Sequence, residues 1–199
     1  MKRDKQIAII GSQSTGKTTL ANDYIKYIMR QGKGCREHWI TDDGCARAVA
    51  ERGGNINEVT GCATQINIVR ELVRKFKPYN GFIYSPYILR VSTLARIWAY
   101  MKYSIEHTGG YTWNDASSSS LVIFHEWALY ELYSVFDEVI YLPIEFEPVE
   151  DEVRSTSKEY QVIIDGYIKD ILDESGVYYH TIVGDKVSRL EQLIHNVEV

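Results

Sequence analysis

An eight-residue segment, Gly11 to Thr18, constrains the fold of this chain more than any other feature. It reads Gly-Ser-Gln-Ser-Thr-Gly-Lys-Thr and matches the pattern G-x-x-x-x-G-K-[ST]. An isoleucine-rich run, Gln6 to Ile10, precedes it, and apolar residues at helical spacing follow from Thr18 to Met29. Strand, glycine-rich loop and helix in that order predict a loop that wraps the phosphates of a nucleoside triphosphate.

Each constrained position of this loop has a physical role. The glycines permit close backbone approach, so that successive amides point at phosphate oxygens. Lys17 is predicted to bring a catalytic charge to the β and γ phosphates, and the Thr18 hydroxyl to bind Mg²⁺. The predicted nucleotide-binding residues are Gly11, Ser12, Ser14, Thr15, Gly16, Lys17, Thr18 and Thr19.

The composition suits one domain spanning residues 1–199. Of the 199 residues 45% are apolar, which is enough for one sizeable core. A formal net charge of -5 argues weakly against a surface devoted to nucleic acid, although a local basic groove is compatible with it. The three cysteines lack metal-ligand spacing, and no apolar run reaches membrane-spanning length. We therefore expect a cytoplasmic protein, in the host cytoplasm if viral, with no membrane partner.

Apolar periodicity predicts an α/β fold with five strands separated by helices. Parallel neighbours need crossover connections, so we expect a P-loop NTPase with a five-stranded, mostly parallel sheet, helices on both faces and ligands at the carboxyl ends of the strands. Leu121–Tyr133 is ambiguous, because Leu121–Phe124 alone resembles a strand, and the helix is favoured. The predicted strands are Gln6–Ile10, His38–Thr41, Gly81–Tyr84, Glu138–Leu142 and Tyr178–Val183, and the other predicted helices are Ala46–Glu51, Ala63–Phe76, Ile88–Ser104, Lys158–Leu172 and Val187–Val197.

Two polar segments are candidates for movement. His107 to Ser120 holds two glycines and four consecutive serines, which predicts a mobile loop able to hold substrate. Residues 145–158 contain an acidic stretch, Glu145 to Glu152, and then Arg154. This pattern predicts a lid that brings the catalytic cation Arg154 to the site when substrate is bound. The alternative for the second segment is an exposed loop ending at Ser157, the N-cap of the next helix.

A phosphoryl-transfer site also needs an acid, and its position is open. The predicted third strand ends in Ser85-Pro86, where a metal-binding aspartate is usual. Asp43, beside Asp42 at the end of the second strand, is our first candidate as catalytic base and metal ligand; the alternative is a helix N-cap. Glu126 is a second candidate acid, and His125 is predicted to be structural.

Three further groups of residues lie where a ligand is expected. Arg90 and Arg96 follow the third strand and can grip an acceptor phosphate, although a solvated helix face is favoured for Arg96. Arg47 lies four residues after Asp43 and can pair with it on one helical face. Gly184-Asp185-Lys186 follows the last strand and is placed to contact the nucleotide base.

These residues resemble the small P-loop kinases and AAA-type ATPases of bacteria and phages, which include the nicotinamide-riboside kinase module of NAD-regulator proteins. The resemblance spans most of the chain and is carried by the segment around Gly11–Thr18, by Asp43 and Arg47 near a Glu-x-x-Arg pattern, by FDEVIYLP, and by DEVRS near an Asp-Gly-Val-Arg lid. It implies ATP, Mg²⁺, five parallel strands and transfer of the γ-phosphoryl group to a nucleoside or nucleotide hydroxyl. Ser85-Pro86-Tyr87 departs from the family's Asp-Arg, and the acid near Arg47 is out of register by one residue.

A related phage group, similar to thymidylate kinases, phosphorylates 5-hydroxymethyluracil within DNA. The resemblance therefore implies nucleotide metabolism or phage DNA modification, with a small nucleotide-type acceptor or a base in DNA as partner. A nucleotide-gated ATPase acting on a protein partner is the alternative class, and a binder without catalysis is a third. The oligomeric state is left open by the sequence.

Overall fold

The chain alternates strands and helices throughout the part that this computed structural model describes, namely residues 5–32, 40–41, 44–76, 87–91, 93–107, 115–148 and 155–198. The elements, in chain order, are β1 (Lys5–Ile10), α1 (Lys17–Arg30), β2 (Ile40–Thr41), α2 (Cys45–Ala50), α3 (Cys62–Phe76), β3 (Tyr87–Arg90), α4 (Leu94–His107), α5 (Asp115–Ser134), β4 (Glu138–Tyr141), α6 (Lys158–Ser175), β5 (His180–Thr181) and α7 (Lys186–Glu198).

The five strands form one sheet in the order β2-β3-β1-β4-β5, and every pairing is parallel. The predicted α/β fold with a five-stranded parallel sheet is confirmed. β1 lies at the centre, where Ala8 is in register with Arg90 of β3 and with Val139 of β4. The chain changes sides of β1 between β3 and β4, so the carboxyl end of β1 opens into the crevice where such sheets bind ligands.

Helices cover both faces of the sheet because β1 is apolar on both sides. Ile7 and Ile9 pack with α1 and α7, where Tyr24 and Leu193 are fully or almost fully buried. Ala8 and Ile10 face the larger core formed with α2 to α6. Successive strand residues point to opposite faces, so a continuous apolar run is what a doubly covered central strand requires.

The third strand differs from the prediction. The segment Ile88–Arg90, predicted as the start of a helix, belongs to β3, and α4 begins only at Leu94. The Thr93 hydroxyl accepts the Arg96 amide at 3.3 Å, as an N-cap does. The strand predicted at Gly81–Tyr84 lies outside the described residues. β3 ends at Arg90 and not at Ser85-Pro86. The last residue of this strand is therefore an arginine, where a metal-binding aspartate is usual.

Helix α5 confirms one prediction and corrects another. Leu121–Tyr133 is helical, as favoured, but the helix begins at Asp115, so the mobile loop predicted over 107–120 is wrong for residues 115–120. Residues 108–114 lie outside the described part. Serines have weak helix propensity, but Phe124, Ala128 and Leu132 bury one side of the helix in the core, and this packing outweighs propensity.

The remaining elements begin close to their predicted positions. Ser157 is the N-cap of α6, since its hydroxyl accepts the Tyr160 amide at 3.2 Å, as predicted. The N-cap of α2 is Gly44, and Asp43, for which a capping role was the alternative, lies outside the described residues. Within the described residues, none of the helices combines the length and apolar content needed to cross a membrane.

Candidate functional site

The phosphate loop connects the carboxyl end of β1 to α1, and its backbone leaves no room for a side chain at Gly11. A Cβ there would lie 2.5 Å from the Leu142 carbonyl oxygen and 2.8 Å from Thr15 Oγ1. Farther along, Ser14 has a φ of 59° and Gly16 a φ of 87°, both left-handed. Alternation of left-handed and ordinary backbone turns consecutive amides toward one side, which forms a concave anion site.

Helix α1 begins at the end of this loop without a side-chain cap. Gly16 is the N-cap and makes no side-chain capping bond, and the first helical bond runs from the Leu20 amide to the Gly16 carbonyl. The amides of the first turn therefore point out of the helix, where the positive end of the helix dipole also lies. This donor set fits the phosphates of a nucleotide.

Lys17 is held inside the loop. Its side chain is buried, and Nζ donates to the Ser12 carbonyl and, at 3.2 Å, to Thr15 Oγ1. The Thr15 hydroxyl donates in turn to the Ser12 carbonyl at 3.1 Å. The ammonium group is thus kept where incoming phosphate oxygens would replace neutral acceptors, which makes Lys17 ready to bind an anion.

An ion pair supports the loop from the α7 side. Arg189 is 3% exposed, and its Nη1 donates to the Thr15 carbonyl at 2.6 Å while Nη2 contacts Glu145 Oε2 at 2.5 Å. Glu145 also accepts the Gly184 amide at 2.8 Å. A Cβ on Gly16 would lie 3.2 Å from Arg189 Nη1, so the contact is close. We call Arg189 and Glu145 the donor-side brace.

The contact with Arg189 lowers the pKa of Glu145. Partial burial opposes ionisation, but the Arg189 guanidinium and the Gly184 amide outweigh it and hold the pKa of Glu145 below its ordinary value. The guanidinium carbon of Arg189 also lies 4.7 Å from the centre of the Phe146 ring. The carboxylate is therefore ionised at neutral pH and ties the start of the predicted lid to the phosphate loop.

A second, neutral set of contacts supports the loop from the opposite side. The Tyr100 hydroxyl of α4 donates to Gln13 Oε1 at 3.0 Å, and Gln161 Nε2 of α6 donates to the Gln13 carbonyl at 2.7 Å. All three side chains are buried. We call Gln13, Tyr100 and Gln161 the acceptor-side brace, because two of them, Gln13 and Tyr100, also line the cavity next to the loop.

That cavity has a volume of about 150 Å³ and opens beside α1. The phosphate loop and the start of α1 form one wall, which Lys17, Thr18 and Thr19 line. The opposite wall carries polar groups from four helices and from one residue of the predicted lid: Arg47, Gln65, Arg96, Tyr100, Tyr160 and Ser155. A compartment with hydrogen-bond donors, directly against the phosphate loop, suits a second small ligand.

Several predicted residues are brought together here, and others are not. Arg96 lines the cavity with its guanidinium 5.2 Å from the Tyr100 ring, so the solvated helix face favoured for it is wrong. Arg90 instead pairs with Glu131 at 2.8 Å and lies over the Phe136 ring, which directs it toward α5. Asp42, Asp43 and Arg154 lie outside the described residues.

The second candidate acid has no place at this site. Glu126 is exposed on α5 and does not line the cavity. His125 contacts Glu174 through Nε2 at 3.0 Å and packs against the Trp98 ring, which agrees with the predicted structural role. Asp185 caps α7 by accepting the Val187 and Ser188 amides, and Lys186 lies 3.1 Å from Asp23.

The groups that this site offers to a metal are oxygen ligands. Among the described residues, no three His, Cys, Asp or Glu side chains come together as a metal cluster. Thr18 offers a single hydroxyl in the first turn of α1. Mg²⁺ typically keeps several waters and takes its remaining oxygens from phosphates and one or two protein groups, so this hydroxyl fits a metal that enters with the nucleotide.

Sequence reasoning missed both braces. Arg189 lies in the first turn of a helix, where the dipole disfavours a cation, and that mismatch was the one available signal. Gln13 occupies a variable position of the loop pattern, and Tyr100 stands among the core residues of α4. Nothing in their spacing distinguishes a residue that supports the loop from one that fills the core.

Similarity to known proteins agrees with this geometry. No protein-family model and no curated protein matches the sequence. A solved NadR protein in complex with NR superimposes with a TM-score of 0.67 at 14% identity, over 98% of this chain and 50% of that one. The thymidylate kinase of Candida albicans gives 0.65 at 12% identity over 98% and 92%, and that of Ehrlichia chaffeensis gives 0.62 at 12% identity over 100% of both chains.

The chain thus shares the fold of these proteins, which agrees with the predicted α/β fold with a parallel sheet and helices on both faces. It spans about half of the length of the NadR protein that it matches. At identities of 12–14% the likeness concerns the fold.

Proposed function

We propose that this chain is an ATP-dependent kinase that transfers the γ-phosphoryl group to a hydroxyl of a nucleoside, nucleotide or modified base. One observation carries the proposal: an uncapped helix with a buried lysine opens directly onto a second polar compartment. A protein that only binds a nucleotide needs the first feature. A phosphotransferase needs both, because donor and acceptor must lie side by side.

The roles of the donor residues follow from their positions. The amides of the first α1 turn and Lys17 bind the β and γ phosphates, and Thr18 offers a ligand for Mg²⁺. The metal, when bound, neutralises charge on the phosphates during transfer. Asp43 as base and metal ligand, and Arg154 as the cation on the lid, complete this proposal from the sequence.

The acceptor compartment supports a nucleoside-sized ligand. Its volume is about 150 Å³, and Gln65 is held in it by a 2.8 Å bond to Thr60. An oriented amide suits the edge of a base, and the guanidinium of Arg96 suits a phosphate or a ring face. NR was bound in one structural neighbour, and two others are thymidylate kinases. The specific candidate remains 5-hydroxymethyluracil in phage DNA.

The alternative is an ATPase or nucleotide-gated switch that acts on a protein partner. The end of β3 favours it, since this strand ends in Arg90, which pairs with Glu131 of α5, and not in an acid that would hold the metal. Such a protein would lose γ-phosphate slowly to water and label no small molecule.

Incubation with γ-labelled ATP, Mg²⁺ and a panel of nucleosides, monophosphates and DNA containing modified bases tests the proposal. We expect one class of acceptor to become labelled in proportion to ADP. The Lys17→Ala variant should lose about 10³-fold in turnover, and its stability should fall by only about 1 kcal/mol through the lost loop bonds. Lys26→Ala, an exposed change on the same helix, is the matched control and should be fully active.

The two candidate functions give different results in this assay. Release of labelled phosphate without a labelled acceptor would contradict the kinase proposal and support the ATPase. Full turnover in Lys17→Ala would remove the phosphate loop from either mechanism.

A further inference from the structure

Helix α5 is apolar on both sides, yet one side faces solvent. Phe124, Ala128 and Leu132 point into the core. On the opposite side five large side chains lie along one stripe, and we call them the α5 outer face: Val122, Ile123, Trp127, Tyr130 and Tyr133, which are 59%, 49%, 54%, 68% and 76% exposed. A helix that is hydrophobic all round is normally buried all round.

This face is unlike the rest of the described surface. The other exposed large apolar residues among those described are spread over several elements, whereas these five lie on one side of a single helix. The only charged group on the stripe is Glu126, since Glu131 is buried. The three aromatic residues alone expose roughly 400 Å², taking about 200 Å² for each side chain. Contiguous apolar patches of that size mark interaction surfaces.

We propose that the α5 outer face is the interface of a homodimer, in which two α5 helices pack antiparallel across a two-fold axis. The area supports a second copy, because the aromatic residues already provide about half of the roughly 800 Å² per partner found in stable interfaces, before Val122 and Ile123 are included. Tyrosine and tryptophan with few charges are also the composition of an interface core.

The distribution of side-chain size supports the antiparallel direction. The stripe begins with the small Ser119 and ends with the large Tyr130 and Tyr133. A two-fold axis that passes between Glu126 and Trp127 places Ile123 opposite Tyr130 of the second copy. It also places the end of the stripe near Ser119 opposite the end near Tyr133 of the second copy. At each end of the interface, the large side chains of one copy then meet the small side chains of the other. The two helix dipoles are also antiparallel, which is favourable.

The interface is independent of the proposed kinase activity. The inner side of α5 packs on α4, and α4 in turn lines the cavity beside the phosphate loop. The α5 outer face therefore points away from this cavity. Loss of the dimer and loss of phosphoryl transfer are therefore separable results.

Light scattering on the full chain tests the dimer. The monomer mass is 22.9 kDa, and we expect twice this value at 20 µM protein, in excess of an expected dissociation constant of about 1 µM. The double variant Trp127→Glu, Tyr130→Glu should run as a folded monomer, with the dissociation constant of the dimer raised at least 100-fold. Val187→Glu, an exposed change on α7 across the sheet, is the matched control and should remain dimeric.

Cross-linking tests the direction of packing. In a chain carrying Cys35→Ser, a mixture of the Ser119→Cys and Ser134→Cys variants should form a mixed disulfide faster than either variant alone, because only the antiparallel pair brings these positions within bonding distance. A monomeric wild-type chain at 100 µM, a double variant that stays dimeric, or faster disulfide formation within one variant would each overturn the proposed interface.

Discussion

The two braces hold the same eight-residue loop by opposite means. The donor-side brace is an ion pair, in which Arg189 of α7 reaches the Thr15 carbonyl and is fixed by Glu145. The acceptor-side brace consists of neutral hydrogen bonds from Tyr100 and Gln161 to Gln13. The first comes from one face of the sheet, and the second comes from the other.

We expect the two braces to have different roles. Arg189 does not line the cavity, so the donor-side brace sets the shape of the loop whether or not an acceptor is bound. Tyr100 contacts the loop through its hydroxyl and supports Arg96 with its ring, so the acceptor-side brace touches both compartments. We expect the first brace to control nucleotide affinity and the second to control the use of the acceptor.

The largest effect is expected from Gly11→Ala, which disturbs the donor side at its base. The new Cβ would meet the Leu142 carbonyl oxygen at 2.5 Å, and backbone on both strands would have to move. We expect nucleotide affinity to fall about 100-fold and stability to fall by about 3 kcal/mol. Calorimetric titration with a nonhydrolysable ATP analogue and thermal unfolding measure the two effects.

Gly166→Ala is the matched control for this change. Gly166 lies inside α6, and a Cβ there would meet nothing within 4 Å. Alanine in a helix interior should raise stability by about 1 kcal/mol and leave nucleotide affinity unchanged. A loop that tolerated Gly11→Ala equally well would show that the close approach to Leu142 has no role.

The next largest effect is expected from Arg189→Met, which keeps the side-chain length but removes the donor-side ion pair. The Thr15 carbonyl and Glu145 lose their partner, which should weaken nucleotide binding by about 2 kcal/mol, or about 30-fold, after allowance for the partial exposure of Glu145. Acceptor KM should change less than twofold.

Arg189→Lys tests whether the forked geometry matters. Lysine keeps the charge, but its N–H donors lie on a single nitrogen, whereas Arg189 reaches Thr15 and Glu145 with two, so lysine should recover only part of the affinity. Complete recovery of nucleotide affinity in Arg189→Lys would show that only the positive charge of Arg189 matters.

A smaller effect of the opposite kind is expected from Tyr100→Phe. The ring under Arg96 remains, but Gln13 loses one donor, at a cost of about 1 kcal/mol. We expect acceptor KM to rise about fivefold while nucleotide affinity stays within twofold, as measured by steady-state kinetics with each substrate varied. Tyr27→Phe on α1 belongs to neither brace and serves as the control. The proposed division fails if nucleotide affinity responds more strongly than acceptor KM.

The smallest effect is expected from pH. The pKa of Glu145 in the folded protein lies below its ordinary value of 4.5, so the stabilisation it provides is complete above that value and is lost as pH falls through the lowered pKa. Nucleotide affinity should therefore differ between wild type and Glu145→Gln at pH 7 and 5, and the difference should shrink as pH falls through the lowered pKa of Glu145. A difference that stays constant until the protein unfolds in acid would exclude titration of this carboxylate as the cause.

The sequence predicted the sheet and the phosphate loop because both depend on local patterns. The central strand is a continuous apolar run, and the loop requires glycine and lysine at fixed spacing. β3 was misplaced because Ile88–Arg90 was assigned to the following helix, whereas the position of Arg90 depends on its ion pair with Glu131, which is 41 positions later. The braces were missed for the same reason, since each joins residues that are distant in sequence.

The long reach of these contacts also affects when the loop can form. Thr15 and Arg189 are 174 positions apart, and the contact between Gln6 and Asp137 that accompanies the pairing of β1 with β4 spans 131. During synthesis, β1 emerges early and must wait for partners made much later. A fluorescent nucleotide added during translation should bind only after α7 has left the ribosome, so nucleotide binding would mark the completion of folding.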